Sequence, residues 1–192
     1  MSGDLSNARV PVVGFVAPSG TGKTTLLAKL IPLLKAAGIR LAVIKHSHHE
    51  IEIDQPGKDS HVLRHAGADQ VLLASRHGWA LMADTTDQDI DDDGEAKLNE
   101  MIGHLDQRGL DLIIVEGFKH AGFPKIELHR PALGKAALFP DDDHIIAVAS
   151  DSPLATTGGV VNLDLNRETD ILRFVLQYFE LAPPASDPEP HC

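Results

Sequence analysis

The segment from Ala17 to Thr25 decides the fold and has the sequence Ala-Pro-Ser-Gly-Thr-Gly-Lys-Thr-Thr. It matches the G-x-x-x-x-G-K-[ST] pattern of phosphate-binding loops, except that alanine stands in the first position. Glycines let successive backbone N–H groups turn toward an anion, and the helix that follows points its positive end at the same anion. We therefore expect Lys23 to contact the β- and γ-phosphates of a nucleotide and the Thr24 hydroxyl to bind Mg²⁺. The residues predicted to line the phosphate site are Pro18, Ser19, Gly20, Thr21, Gly22, Lys23, Thr24 and Thr25.

The flanking sequence has the strand–loop–helix order that this motif requires. The run from Val10 to Val16 is short and nearly all apolar, which is typical of a strand buried on both faces of a parallel sheet. After the loop, leucine and isoleucine recur at helical spacing up to Leu34, and Gly38 ends the predicted helix. Pro32 lies inside this helix and should bend it. An incidental Gly-Lys-Thr in an ordinary turn is the alternative, and this context argues against it.

The rest of the chain alternates predicted strands with predicted helices. The further strands are predicted at 40–45, 70–74, 78–83, 111–115, 125–129 and 145–149, and the further helices at 58–66, 95–107 and 168–180. Residues 125–129 alternate apolar and polar side chains, so we expect them near a sheet edge. The order of elements predicts an α/β, three-layer P-loop NTPase fold with a mostly parallel central sheet. A hairpin over 70–83 is predicted to add antiparallel strands.

Composition and charge narrow the class of protein. The 192 residues are 43% hydrophobic and 23% charged, and the single cysteine, Cys192, excludes an intrachain disulfide framework. The formal charge is −11 without a Lys/Arg cluster, which argues against nucleic-acid binding. No apolar stretch is long enough to cross a membrane and the first residues lack the order of a signal peptide, so we expect a cytoplasmic protein.

The chain is predicted to have one folded domain between two less ordered ends. Residues 1–9 are predicted to be a loose N-terminus, and residues 10–181 a single nucleotide-binding domain. Residues 182–192 are rich in proline and are predicted to be disordered. Within the domain, seven carboxylates between Asp84 and Glu95 predict a solvated loop.

A carboxylate follows a buried strand at the position where a phosphate-binding loop needs one. Glu116 comes directly after the apolar run Leu112–Val115, so its carboxylate should emerge at the carboxyl edge of the sheet, where ligands bind. There it would bind Mg²⁺ together with Thr24, and a strand-capping role is the alternative. Asp111 opens the same strand and is expected to be structural, at the opposite edge.

A histidine-rich loop leaves the second predicted strand at the same edge. It contains His46, His48 and His49 within four residues, followed by several carboxylates. Imidazoles at this spacing are able to share a transition metal, and they are equally able to face phosphates or a second ligand. The residues alone leave both interpretations open.

The motifs together resemble the molybdopterin-guanine dinucleotide biosynthesis adapter, or MobB, family. The matching segments, in the family's order between about residues 11 and 180, are 19–25 (SGTGKTT), 44–49 (IKHSHH), 54–60 (DQPGKDS), Arg64, 66–68 (AGA), 112–119 (LIIVEGFK) and 147–151 (AVASD). The resemblance implies GTP binding with Mg²⁺, weak GTP hydrolysis and a homodimer. It also implies a supporting role beside the molybdopterin guanylyltransferase and molybdoenzyme maturation proteins, with molybdopterin or molybdopterin guanine dinucleotide as a further ligand.

The resemblance adds four residues to the candidate site. Lys119 would lean over the phosphates or a pterin phosphate, although an ordinary surface lysine is the alternative. Lys58 and Asp59 begin a helix. Asp59 would orient water or magnesium, with Lys23 and Glu116 as catalytic partners. The alternative is that Asp59 is only a first-turn carboxylate, which the helix dipole stabilises. Asp151 follows a buried strand, where its carboxylate would accept the N1 and N2 protons of guanine, or would cap a turn.

We also expect His46, His48 and Lys119 to line a second anion-binding pocket beside the γ-phosphate position. All three should project from the edge of the sheet that carries the phosphate-binding loop. A pterin phosphate would then bind more tightly as the pH falls toward about 6.5, because the imidazoles become charged. A metal would bind less tightly over the same range, because protons compete for imidazole, so a titration at several pH values distinguishes the two.

Two other functions fit parts of the sequence. A small-molecule P-loop kinase usually brings arginines over the transferred phosphoryl group, and residues 84–95 contain none. A nickel-delivery GTPase would explain the histidines, but the chain has no internal cysteine and no histidine run near its start. The adapter of molybdenum cofactor biosynthesis is therefore our principal interpretation.

Overall fold

A computed structural model describes residues 5–47, 58–83, 95–156 and 158–181. The chain forms two compact units, one of residues 1–46 with 93–192 and one of residues 47–92. The prediction of a single domain over residues 10–181 stays a prediction, and the tail 182–192 lies outside the described residues. Within the segment predicted to be loose, Asn7 donates its side-chain N–H to the carbonyl of Asn99 at 2.8 Å.

Over the described residues, the larger unit contains a six-stranded sheet, three α-helices and a short 3-10 helix, Pro131–Leu133. Its elements are β1 (Val12–Val16), α1 (Lys23–Ala36), β2 (Leu41–Lys45), α3 (Glu95–Gly103), β5 (Leu112–Glu116), β6 (Lys125–His129), β7 (Ile145–Ser150), β8 (Val161–Asp164) and α4 (Glu168–Tyr178). The smaller unit contributes α2 (Asp59–His65), β3 (Gln70–Ser75) and β4 (Gly78–Ala83). The strand order in the large sheet is β2-β5-β1-β6-β7-β8, and every neighbouring pair is parallel.

The sheet carries apolar clusters on both faces, and helices pack on both. On one face, Leu30 and Leu34 of α1 share a fully buried core with Ile171 and Val175 of α4. On the other face, Leu98 and Ile102 of α3 pack in a cluster with β1 and β5 residues. This arrangement confirms the three-layer α/β fold with a mostly parallel sheet, and α1 runs through Pro32 as one helix.

The prediction that residues 125–129 lie near a sheet edge is wrong. Strand β6 lies between β1 and β7, and all five of its residues are buried. Its alternation of polar and apolar residues does not mark a solvent face, because Lys125, Glu127 and His129 find polar partners inside the protein. The edge strands are β2 and β8, and β8 is a short strand that the sequence pattern did not reveal.

Lys125 is a buried lysine whose donors are all used. Its side chain is 1% exposed, and Nζ donates to the carbonyls of Lys119 and Ala121, each at 2.8 Å. The same Nζ lies 2.6 Å from Oδ2 of Asp142. The stem of Lys125 needs the glycine at position 14 of β1, since a Cβ there would lie 2.7 Å from Lys125 Cγ. Lys125 thus ties the segment after β5 to the middle of the sheet.

Glu127 holds the segment between β6 and β7 in a similar way. Its two carboxylate oxygens accept the backbone N–H groups of Leu138 at 2.8 Å and Phe139 at 2.9 Å. Burial raises the pKa of Glu127, against the lowering effect of these two donors and of nearby His129. The buried polar side chains of β6 therefore anchor two loops to the sheet rather than facing water.

The smaller unit confirms the predicted hairpin. Strands β3 and β4 pair antiparallel, with Leu72 opposite Leu81 and Ala74 opposite Trp79. Because opposite residues of an antiparallel pair share a face, these four side chains lie on one side of the hairpin. Leu72, Trp79 and Leu81 are all exposed, and Trp79 is 70% exposed.

Candidate nucleotide-binding site

The predicted phosphate-binding loop connects β1 to α1 in the structure. Gly20 has a φ of 82° and Gly22 a φ of 103°, both in the left-handed region that favours glycine. An added Cβ would meet no atom within 4 Å at either position, so the backbone conformation, not lack of space, requires glycine there. Helix α1 begins at Lys23, immediately after Gly22, so its unpaired N–H groups face the loop.

Lys23 is held inside the loop by backbone carbonyls. Its Nζ donates to the carbonyl of Ala17 at 2.8 Å and to that of Pro18 at 3.4 Å. Burial lowers the pKa of Lys23, Glu116 raises it, and the neighbouring charge of Lys45 lowers it further. In such a loop, an ammonium at this position lies beside the expected site of the nucleotide phosphates.

Thr24 and Glu116 are brought together across the sheet as the sequence predicts. The Thr24 hydroxyl donates to Oε1 of Glu116 at 2.9 Å, although the residues are 92 positions apart in the chain. Lys45, at the end of β2, lies 3.4 Å from the same oxygen and was not anticipated from the sequence. A hydroxyl and a carboxylate oxygen are hard donors that suit Mg²⁺, whose remaining ligands are usually phosphate oxygens and water. The pair therefore fits a magnesium site, and the role stays a prediction.

The segment after Glu116 has an uncommon backbone. Gly117 has a φ of 106°, and Phe118, with a φ of 50°, is one of two non-glycine residues with positive φ in the described chain. The ring of His46 stacks on Phe118 with centroids 4.6 Å apart, and the His46 N–H donates to the carbonyl of Glu116 at 2.9 Å. Gly117 allows this approach, since a Cβ would lie 2.9 Å from the Cβ of His46.

The other residues predicted to join the site have different placements. Lys119 is exposed just beyond Phe118, and His46 follows β2, so both lie at the expected edge. His48 lies outside the described residues. Lys58 precedes α2 and Asp59 is its first residue, both in the smaller unit. Their roles stay predictions, as does the second anion-binding pocket.

Arg130 is the neighbour of the phosphate-binding loop that sequence reasoning missed. It follows β6, its Nε donates to the carbonyl of Thr21 at 3.0 Å, and its Nη1 lies 2.6 Å from Oδ2 of Asp151. Asp151 therefore lies at the predicted edge of the sheet, and its carboxylate is paired with this guanidinium. Arg130 directly follows a predicted strand, and this position could have marked it as a site residue. The incorrect prediction that residues 125–129 lie near a sheet edge obscured that signal.

A pocket opens beside the loop on the side of Arg130. It has a volume of about 300 Å³ and is lined by Gly20, Thr21, Gly22, Thr25, Leu26, Lys29, Arg130, Leu165, Asn166 and Glu168. At its rim, Nζ of Lys29 on α1 lies 2.8 Å from Oε1 of Glu168, the first residue of α4. Across the described residues, no three His, Cys, Asp or Glu side chains are grouped closely enough to hold a metal ion.

The parallel sheet with the loop after its central strand β1 defines an α/β protein of the P-loop NTPase-like fold. The family model described as molybdopterin guanine dinucleotide synthesis protein B matches residues 12–151. The chain therefore belongs to the MobB family.

Two relatives agree with this assignment, and a solved structure shares the fold. The molybdopterin-guanine dinucleotide biosynthesis adapter protein of Escherichia coli is 46% identical over 172 residues, which cover 89% of this chain and 94% of that protein. The protein of the same name from Haemophilus influenzae is 41% identical over 170 residues, 88% of this chain and 89% of the relative. A Bacillus subtilis MobB structure has a TM-score of 0.64 at 23% identity and shares the fold, covering 88% of this chain and 98% of that one. Within the described residues, no helix combines the length and apolar character needed to cross a membrane.

Proposed function

We propose that this protein is a GTP-binding adapter of molybdenum cofactor biosynthesis that assists the formation of molybdopterin guanine dinucleotide. The observation that carries the nucleotide part is the contact of the Thr24 hydroxyl with Glu116 at 2.9 Å beside the loop that holds Lys23. The names of relatives that are 46% and 41% identical over most of their length support the adapter part. Calorimetry with GTP, ATP and molybdopterin guanine dinucleotide side by side tests it, and a folded protein that binds none of them would refute it.

The geometry suggests how a triphosphate would be bound. The N–H groups of the loop and of the start of α1 would surround the β-phosphate, and Lys23 would exchange its two carbonyl partners for phosphate oxygens. Mg²⁺, when bound, neutralises charge on the β- and γ-oxygens, and Thr24 and Glu116 are the residues that would hold it. Slow hydrolysis is secondary in this proposal, and the main role is to present bound nucleotide to the guanylyltransferase and to molybdoenzyme maturation proteins.

Glu116→Gln is expected to reduce the contribution of Mg²⁺ to GTP affinity about tenfold. The amide keeps the size of the side chain but loses the negative charge that would face the cation, and a tenfold loss corresponds to about 1.4 kcal/mol. Calorimetric titrations with GTP in Mg²⁺ and in excess chelator measure the effect for wild type and variant. Glu100→Gln on the exposed surface of α3 is the matched control. If Mg²⁺ tightens GTP binding equally in both variants, Glu116 has no part in the metal site.

We further propose that the protein is a homodimer and that the exposed face of the hairpin is the surface that a second copy covers. A two-stranded sheet is marginally stable alone, and the face formed by Leu72, Trp79 and Leu81 leaves apolar area in water. Trp79→Glu should therefore shift the protein toward monomers in sedimentation equilibrium. Leu133→Glu, at an exposed apolar residue of the larger unit, should leave the mass of the dimer unchanged. A wild-type protein that stays monomeric at its highest soluble concentration would contradict the proposal.

A further inference from the structure

The pocket beside Arg130 lies on the opposite side of the phosphate-binding loop from Glu116. In the sheet, β5 and β6 flank β1 on its two sides, and β7 and β8 continue beyond β6. Glu116 ends β5, whereas Arg130 follows β6 and Asn166 follows β8. If the γ-phosphate and its cation lie toward Glu116, the other end of the nucleotide extends toward the strands on the far side. The nucleoside would then enter the pocket near β8.

The walls of this pocket have the chemistry of a nucleobase site. Gly20, Thr21 and Gly22 of the loop form one side, continuous with the predicted phosphate site. Leu26 of α1 and Leu165, just after β8, contribute apolar surface, and Asn166 and Glu168 contribute polar groups. The lining is more polar than apolar, because Thr21, Thr25, Lys29 and Arg130 also contribute to it. The pocket therefore offers several hydrogen-bonding groups to the edge of a base and two leucine side chains to its ring.

Two carboxylates compete for the role of recognising the base, and their contacts separate them. Asp151 is paired with Arg130 at 2.6 Å and is not among the pocket residues. Glu168 is a pocket residue, and its partner is Lys29, whose side chain is 62% exposed. An ion pair with so exposed a lysine is held weakly, so Glu168 can change partners at little cost. Asp151, by contrast, is paired with Arg130, whose Nε also donates to the carbonyl of Thr21 in the loop.

We propose that this pocket receives the purine base of the nucleotide and that the Glu168 carboxylate accepts the N1 and N2 protons of guanine. The inference rests on the proposed GTP binding and gives it a residue for base selection. Adenine has no proton on N1 and no amino group at C2, so it leaves the carboxylate without a donor on that edge. An unpaired carboxylate against the base disfavours binding, and this selects guanine over adenine.

The test replaces the carboxylate by an amide and changes the base to match. The carboxylate has two oxygens, one for each guanine proton, whereas the amide of Glu168→Gln has one. The amide N–H groups then face the guanine amino group, which is also a donor. Xanthine carries a carbonyl in place of that amino group, so the same amide N–H would donate to it. We expect the variant to bind GTP about 10- to 100-fold more weakly and to bind XTP about tenfold more tightly than wild type. Calorimetry with GTP, XTP and ATP measures all three affinities.

Asp151→Asn is the matched control, since it makes the same chemical change at the paired carboxylate. We expect it to alter GTP and XTP affinity in parallel, with the GTP/XTP ratio of wild type. A wild-type ratio in Glu168→Gln, in a protein that still binds GTP, overturns the inference and leaves the proposed function intact. A changed ratio in Asp151→Asn alone assigns base recognition to Asp151 and also overturns it. A folded wild type that binds no guanine nucleotide overturns both proposals.

Discussion

Replacing Lys23 with alanine is expected to lower the affinity for GTP by about 100-fold or more while the protein stays folded. Hydrogen bonds to charged groups contribute about 1.5–3 kcal/mol each, and Lys23 would make two of them to the phosphates. In the structure its Nζ donates to the carbonyls of Ala17 and Pro18, at 2.8 and 3.4 Å. The loss of this ammonium opens no apolar cavity in the core, so stability should change little.

Calorimetry measures the affinity, and urea unfolding followed by circular dichroism verifies the fold of the variant. Lys35→Ala is the matched control, because it removes the same charge from the last turn of the same helix, at an exposed position. A folded Lys23→Ala protein with the GTP affinity of wild type would remove the basis for a phosphate site at this loop.

The second large effect concerns stability and the buried ion pair of β6. Asp142→Asn is expected to lower the free energy of unfolding by about 3 kcal/mol, because removing one partner leaves a buried charge without compensation. The charge left behind is Lys125, whose side chain is 1% exposed and lies 2.6 Å from Asp142. Asp106→Asn breaks an ion pair of similar length with Arg108 at the surface, and it should leave the unfolding midpoint unchanged.

The difference in unfolding free energy between wild type and Asp142→Asn should depend on pH with a definite sign. Burial alone would raise the pKa of Asp142, but hydrogen bonds from Lys125 and from the N–H of His144 hold it below its ordinary value. A lowered folded-state pKa gives stability that is complete above the unfolded value, about 3.9, and is lost as the pH falls through the folded one. The difference between wild type and Asp142→Asn should therefore be constant from about pH 8 to about pH 5 and shrink below about pH 4. Equal stability of the two proteins at neutral pH would show that the buried pair contributes nothing.

Much of the fold was predictable because its signals are local. The apolar runs of β1, β5 and β7, the glycines of the loop and the helical spacing of α1 each lie within one short segment. The meeting of Thr24 with Glu116 was predictable for a related reason. Carboxyl ends of parallel strands share one edge of the sheet, so a residue at the end of β5 must lie near the loop that follows β1 if the two strands pair.

The position of β6 was not predictable from its own residues. Its alternation of Lys, Ile, Glu, Leu and His has the pattern of a half-exposed strand, and only pairing with β1 and β7 makes it central. Burial of Lys125 and Glu127 is possible because Asp142 and the N–H groups of Leu138 and Phe139, all distant in sequence, satisfy them.

The sequence by itself determined the α/β class, the glycine-rich loop between β1 and α1, the carboxylate that meets it and the resemblance to MobB proteins. Each of these depends on residues adjacent in the chain or on a fixed rule of parallel sheets. Only the tertiary structure decided which groups surround the loop on its far side. Strand β8 has no strong pattern, and Arg130 and Glu168 reach the pocket through the order of strands, which is set by long-range packing. The pairing of Asp151 with Arg130 is equally a product of that order, because the two residues follow neighbouring strands and meet across 21 positions of the chain.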